Sequence, residues 1–304
     1  MKQITLGKST LTASDIALGC MRMSSLTNKE AVKVLETAIT GGINFFDHAD
    51  IYGGGTSETV FAEAFKDLGV SRENIMLQSK CGITPTGFNF SKPHIISSVD
   101  GILKRLDTDY LDVLVLHRPD ALMDPTEIAA AFDELEKQGK VRSFGVSNQN
   151  PLQIELLKSV VKQPLLVNQL QFGLKHTGML DEGFNVNNLS PQAQPTAGLI
   201  EYSRLENMTI QAWSPLQYGY FEGVFIGHED FPELNAALEV VAKKYETTAA
   251  AIAIAWILRH PAKMQVLLGS MNPTRISEMI EASDIQLTHE EWYLLYKAAG
   301  NVLP

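Results

Sequence analysis

Ile75-Met76-Leu77-Gln78-Ser79-Lys80, an amphipathic stretch over 95–106, and Leu111-Asp112-Val113-Leu114-Val115-Leu116-His117 follow one another in the chain. The two outer runs are short, apolar and rich in residues that favour strands; the middle one places Ile96, Val99, Leu103 and Leu106 on one helical face. Strand, helix, strand is the βαβ unit of a parallel sheet. The alternation recurs along the whole chain, with strand runs at 16–20, 43–47, 75–80, 111–117, 141–146, 165–169, 209–213 and 265–269. Eight strands separated by helices predict a (β/α)8 TIM barrel, and 304 residues suit one such domain spanning 1–304.

Around that core, residues 3–11 alternate about Gly7-Lys8 and read as a hairpin able to plug the barrel's N-terminal end. A helix at 29–39 gathers Ala31, Leu35, Ala38 and Ile39 on one face. Helices are expected at 235–245 and 249–259 before the last strand, and at 289–299 after it. Two stretches, 173–192 and 216–231, exceed ordinary loop length and are expected to form substrate walls or lids. Gly53-Gly54-Gly55 lacks the Gly-x-Gly-x-x-Gly pattern because Glu58 holds the last place, so it reads as a turn into a helix at 58–68.

Composition narrows the function. A hydrophobic share of 45% excludes disorder. No apolar run approaches the ~20 residues that a membrane helix needs, and the N-terminus has no secretory signal, which makes the cytoplasm the expected location. A net charge of -10 disfavours nucleic acid and anionic membranes as partners, so an anionic ligand must be held by local donors. The partner expected is a small molecule; the sequence carries no signal of oligomeric state. With two cysteines there is no disulfide framework, and Cys20 and Cys81 read as small apolar packing groups rather than a redox pair.

Strand ends at the C-terminal face of such a barrel carry the chemistry. Lys80 and His117 close their strands, and Asp47 and Tyr52 sit in Phe45-Phe46-Asp47-His48-Ala49-Asp50-Ile51-Tyr52-Gly53. Side chains two apart share a face, so Phe45 with Asp47, Gln78 with Lys80, and Val115 with His117 point inward. A carboxylate and an ammonium inside a barrel are costly unless paired, which predicts an Asp47–Lys80 pair with the cation also near Tyr52. That cation should lower the phenol pKa and make Tyr52 a usable proton donor, while a neutral His117 orients a carbonyl oxygen. A rival reading is a metal-dependent hydrolase using Asp47, His48, Asp50 and His117 around an activated water, though it leaves Lys80 without a role.

Residues 41–53, Gly139-Lys140-Val141-Arg142 through Gly145-Val146-Ser147-Asn148, Trp213-Ser214-Pro215-Leu216 and His117-Arg118-Pro119-Asp120 carry a family pattern. The chain resembles aldo-keto reductases, closest to bacterial members with His-Arg-Pro-Asp after the fourth strand, over nearly its whole length. The resemblance implies reduction of an aldehyde, ketone or quinone carbonyl to an alcohol, with Asp47, Tyr52, Lys80 and His117 as the catalytic tetrad and Tyr52 as proton donor. It also implies that Ser147, Asn148 and Gln169 hold a nicotinamide carboxamide, that Trp213 stacks on the ring, and that Ser214, Pro215, Leu216 and Gly219 line the pyrophosphate. Gly19, Met21 and Arg22 border the same cofactor, with Gly269, Ser270 and Arg275 at its phosphates. Arg275 favours NADP (NADPH) over NAD, and no metal is expected. Met271 stands where a basic residue is common, and Glu281-Ala282 where Glu-Asn is common. A redox-sensing regulatory subunit that binds nicotinamide is the alternative from the same resemblance. Met21, Arg22, Tyr52, Phe88, Phe90, Trp213, Tyr218, Tyr220 and Phe221 are expected to border the substrate, with Arg22 able to favour a carboxylate.

Overall fold

The computed structural model describes residues 1–186 and 196–304. Its strands are β1 (Gln3–Thr5), β2 (Thr12–Ser14), β3 (Ile16–Gly19), β4 (Phe45–Asp47), β5 (Met76–Cys81), β6 (Ile83–Thr84), β7 (Gly87–Phe88), β8 (Val113–Leu116), β9 (Phe144–Ser147), β10 (Leu165–Gln171), β11 (Thr209–Trp213), β12 (Gln217–Tyr218), β13 (Gly223–Val224) and β14 (Gln265–Leu268). The helices are α1 (Asn28–Thr40), α2 (Thr56–Leu68), α3 (Lys92–Leu106), α4 (Pro125–Lys137), α5 (Pro151–Lys158), α6 (Gly178–Phe184), α7 (Leu199–Leu205), α8 (Pro232–Lys244), α9 (Ala249–Leu258), α10 (Pro273–Ile280) and α11 (His289–Ala298).

Strands β3, β4, β5, β8, β9, β10, β11 and β14 pair in parallel, and β14 closes back onto β3 through Val266↔Ile16. This is the (β/α)8 barrel. Each barrel strand falls on one of the eight expected runs; β11 matches its run at both ends, and the others are displaced at one end or both. The strand at 43–47 begins only at Phe45, because Ile43 donates its N–H to Ala38 O in the turn that ends α1. The run at 111–117 reduces to β8 preceded by a single bridge, Leu111↔Val141.

Helix starts follow their caps. Thr27 and Asn150 each form a reciprocal capping box, with Glu30 and Gln153 respectively, and Pro273 opens α10 behind Asn272, whose side chain accepts the Arg275 N–H. On α1 the core face comprises Ala31, Val34, Leu35 and Ala38, with Ile39 at its margin. α9 is apolar all round because it is packed between the barrel strand β14, α8, α10 and the turn at 281–284, and it also meets α11, where Trp256 and Trp292 stack at 4.8 Å and each indole donates to the other's carbonyl.

The N-terminal hairpin does seal the barrel floor, but it is longer than expected. Gln3↔Ser14 is its outer pair, and the connection runs from Leu6 to Leu11 because Leu6 is drawn inward to pack with Ala17, Phe45, Val113, Val167 and Leu267. Gly7 is required there: its φ is 51°, and a Cβ would lie 2.6 Å from Leu166 O.

Neither long stretch is structureless. β12 and β13 form a hairpin within 216–231, and α6 lies within 173–192, of which 187–192 falls outside the described residues. Among the described residues no helix is long and apolar enough to cross a membrane.

Candidate active site

Three buried side chains converge at the C-terminal end of the barrel because their strands are neighbours and their positions face inward. Asp47 ends β4, Lys80 lies one residue from the end of β5, and His117 follows β8. The Lys80 ammonium donates to Asp47 Oδ1 at 2.8 Å, Asp47 Oδ2 at 2.7 Å and His48 O at 2.7 Å. Gln78 and Gln169 donate to the same carboxylate at 2.6 Å and 2.9 Å. Four donor contacts and a full counter-charge offset the desolvation of both ions.

Tyr52 is delivered by the turn between β4 and α2. Gly53, Gly54 and Gly55 take φ values of 58°, 64° and 92°, a left-handed sequence that returns the chain into α2 directly after the tyrosine. The Lys80 Nζ lies 5.0 Å from the Tyr52 ring centroid, and the Tyr52 and His117 rings meet edge to face at 6.1 Å.

The expected lowering of the Tyr52 phenol does not prevail. Burial pushes its pKa above the ordinary tyrosine value; Lys80 pulls it down, and Asp47 pushes it up again. Lys80 is the strongest influence opposing burial, but burial outweighs it. Tyr52 therefore stands as the neutral phenol, the form that holds the proton. His117 is neutral as expected: burial, reinforced by the charges of Lys80 and Arg118, pushes its pKa down to about 2, and its Nδ1 has no partner among the described residues.

Above these groups opens a cavity of about 880 Å³, near the upper end of small-molecule sites. Asp47, Tyr52 and His117 line one end of it, while Lys80 is fully buried and does not line it. Of the residues expected to contact a cofactor, Gly19, Met21, Arg22, Ser147, Asn148, Gln169, Trp213, Ser214, Pro215, Leu216, Gly269, Ser270 and Arg275 also line it. Gly219 does not. It sits in the exposed β12–β13 turn, where its carbonyl accepts from Gln171 Nε2. Three non-glycine residues on the cavity wall, Asn148, Ser214 and Phe221, hold positive φ, a local strain typical of ligand sites.

Several substrate-wall expectations fail. Phe90 is core, packed against Gly82; Phe88 points to solvent from β7; and Tyr218 faces away toward His228 and Phe231. Arg22 donates to Gly269 O at 2.8 Å, which ties it to the β14 side. Tyr220 and Phe221 do line the cavity, and Phe221 stacks on Trp213 at 5.9 Å. Among the described residues, none of the 173–192 stretch reaches this cavity.

Sequence reasoning missed two features. Arg118, Ile51 and Ile83 also line the cavity; Arg118 was visible as a charge directly following a strand-end histidine. A chain of buried amides also joins Gln78, Gln169, Gln211 and Gln265 beneath Asp47. Its signal was polar residues at alternate inward strand positions.

The hydrolase reading loses its ligand set. Asp47 is neutralised by Lys80, and His48 is fully buried against Phe61 with both ring nitrogens unpartnered among the described residues. Among the described residues no group of three or more His, Cys, Asp or Glu is placed to hold a metal ion. Cys20 and Cys81 are both buried, with their thiols pushed above the ordinary range by burial.

A barrel with an ion pair, a phenol and a neutral imidazole at one end of a long cleft has the architecture of a barrel oxidoreductase. The model of the aldo/keto reductase family matches residues 15–299, and the chain belongs to that family. It is 35% identical over 314 residues to the uncharacterized oxidoreductase YcsN of Bacillus subtilis, covering 98% of each chain. It is 33% identical over 313 residues to a 6-dehydroglucose reductase of Agrobacterium fabrum, again covering 98% of each. The crystal structure of the thermostable aldo-keto reductase Tm1743, solved with the inhibitor epalrestat, superposes with a TM-score of 0.79 at 27% identity, covering 98% of this chain and all of that one.

Proposed function

We propose that the chain, acting as one domain, reduces an aldehyde, ketone or quinone carbonyl to an alcohol with NADPH, Tyr52 giving the proton. The observation that carries this reading is the convergence of Asp47, Tyr52, Lys80 and His117 at one end of a cavity that continues to Arg275 at the other.

The residues present fit a nicotinamide dinucleotide. Trp213 offers a flat indole on the wall, and its Nε1 is buried without a partner among the described residues. Gln169 turns both N–H groups inward to Asp47 and Gln211. Ser147 and Asn148 stand beside it, Asn148 Nδ2 donating to Ser147 Oγ at 2.7 Å. At the far end, Arg275 in the first turn of α10 forms no ion pair with Glu278, although both line the cavity, so its guanidinium and the helix N-terminus are available to a phosphate. When bound, the reduced nicotinamide supplies a hydride to the carbonyl carbon.

The chain's own groups deal with the oxygen. Neutral His117 donates a hydrogen bond that orients the carbonyl and stabilises charge developing on it. Tyr52 transfers its proton to that oxygen, which completes the alcohol. The Lys80 ammonium opposes the negative charge then left on the phenol oxygen, and Asp47 fixes the ammonium in place. The relative named 6-dehydroglucose reductase supports carbonyl reduction as the reaction class.

Tyr52→Phe removes the proton and leaves the cofactor wall intact. NADPH should still quench tryptophan fluorescence while carbonyl-dependent NADPH oxidation falls at least ~100-fold. Undiminished turnover would contradict the assignment. A regulatory, non-catalytic role would show instead as quenching without turnover in the unaltered protein, across aldehydes, ketones and quinones.

A further inference from the structure

Arg118 has no place in the chemistry described so far. It follows His117 at the mouth of β8, is half-buried, and lines the cavity. Among the described residues no carboxylate pairs with it; its guanidinium lies over the Trp213 ring, 5.5 Å from the centroid. Asp120, the nearest acid in sequence, is spent on the backbone N–H groups of Phe90 and Leu122.

The other two guanidinium groups of the cavity are placed elsewhere. Arg22 is tied to Gly269 O, and Arg275 stands on α10 after β14. In the closed order of eight strands β14 and β8 are four apart, so Arg118 lies across the barrel mouth from the phosphate end. A cofactor phosphate held at Arg275 is therefore not what Arg118 meets. The indole it covers is itself stacked on Phe221, and the apolar or aromatic side chains of Ile51, Ile83 and Tyr220 line the same cavity. Stacking on an indole holds the guanidinium plane while leaving its N–H edge free, and a weakly hydrated fork in apolar surroundings suits a carboxylate.

We propose that Arg118 is a specificity-determining residue that selects carbonyl substrates bearing a carboxylate a few bonds from the reacting carbon: oxo acids and aldehyde acids. The inference rests on the reductase reading and deepens it. The carboxylate anchors on Arg118, and the carbonyl at the other end of the molecule reaches the Tyr52 and His117 side. Sequence reading gave this role to Arg22; the hydrogen bond to Gly269 O moves Arg22 away from it.

The probes are 4-carboxybenzaldehyde and its methyl ester, which share the reacting group and differ in charge. The unaltered protein with NADPH should favour the acid at least tenfold in kcat/KM, mainly through KM, and added salt should erode that ratio. Arg118→Met should bring the ratio toward one, and Arg118→Lys, which keeps the charge and loses the fork, should fall between. Equal losses on both substrates in Arg118→Met would mean that the arginine merely props Trp213, and would overturn the proposal. A ratio near one in the unaltered protein would also overturn it, while leaving the reductase reading intact. Absence of turnover on every carbonyl would remove that reading and this proposal together. If Arg118→Met does not fold, as judged by its melting, Arg118→Lys and the salt titration decide.

Discussion

Replacing Lys80 separates what the buried pair does for folding from what it does for chemistry. Lys80→Met keeps the length of the side chain and removes the charge, leaving the Asp47 carboxylate inside the barrel with only the Gln78 and Gln169 amides at 2.6 Å and 2.9 Å. Removing one member of a buried ion pair costs about 3–5 kcal/mol. The two remaining donors place this case at the low end, about 3 kcal/mol. Asp47→Asn alone leaves the ammonium without a counter-charge, held only by the neutral His48 carbonyl and the asparagine oxygen, and should cost about as much. With both changes no charge remains; the main loss is the bond to His48 O, so the double variant should lie within about 1–2 kcal/mol of the starting protein. It should thus be more stable than either single variant. Urea denaturation of the four proteins gives these differences, and NADPH oxidation on one aldehyde gives the activities. All three variants should lose turnover at least ~100-fold, because the phenol no longer faces a fixed cation. Additive destabilisation in the double variant would refute mutual neutralisation, and substantial turnover in Lys80→Met would refute the role of the cation.

Arg275→Met should weaken NADPH binding ten- to hundredfold, from the ~1–3 kcal/mol of a partly exposed guanidinium–phosphate contact, and barely change NADH binding; equal weakening of both would show that this arginine does not read a phosphate. His117 has its pKa pushed down from 6.5 to about 2, so the uncharged ring persists as pH falls through 6 and 5. Its imidazole resonances, assigned by comparison with His117→Asn, should therefore stay flat from pH 8 to 5, whereas a titration near 6.5 would mean that the ring is solvated and the site more open than described.

The barrel was legible because its signal is repeated eight times, and an error of two residues at one strand end, as at Ile43, leaves the other seven unaffected. Asp47, Lys80 and His117 were legible for a related reason: an ionisable side chain at an inward strand-end position can lie only in the barrel mouth. Residues whose direction depends on loop backbone were not. Phe90 turns into the core because Gly82 makes room for its ring, and Tyr218 turns outward to His228, neither of which is encoded by periodicity. The direction of the Tyr52 pKa was misjudged because sequence reveals a nearby cation but not the depth of burial, and here burial dominates.

The buried pair also bears on how the strands find their alignment. A one-residue slip of a barrel strand exchanges its inward and outward faces and is forbidden by the apolar pattern alone. A two-residue slip preserves the faces, so hydrophobicity cannot detect it. For β4 such a slip would carry Asp47 about 6.6 Å along the strand, to where Phe45 packs with Leu6, Ala17 and Val113. A carboxylate would then lie in the apolar interior while its ammonium stayed behind on β5. The same two charges that serve the candidate chemistry thus penalise a misalignment that preserves the hydrophobic pattern, and they fix the strand that carries the tyrosine turn at a single height in the barrel.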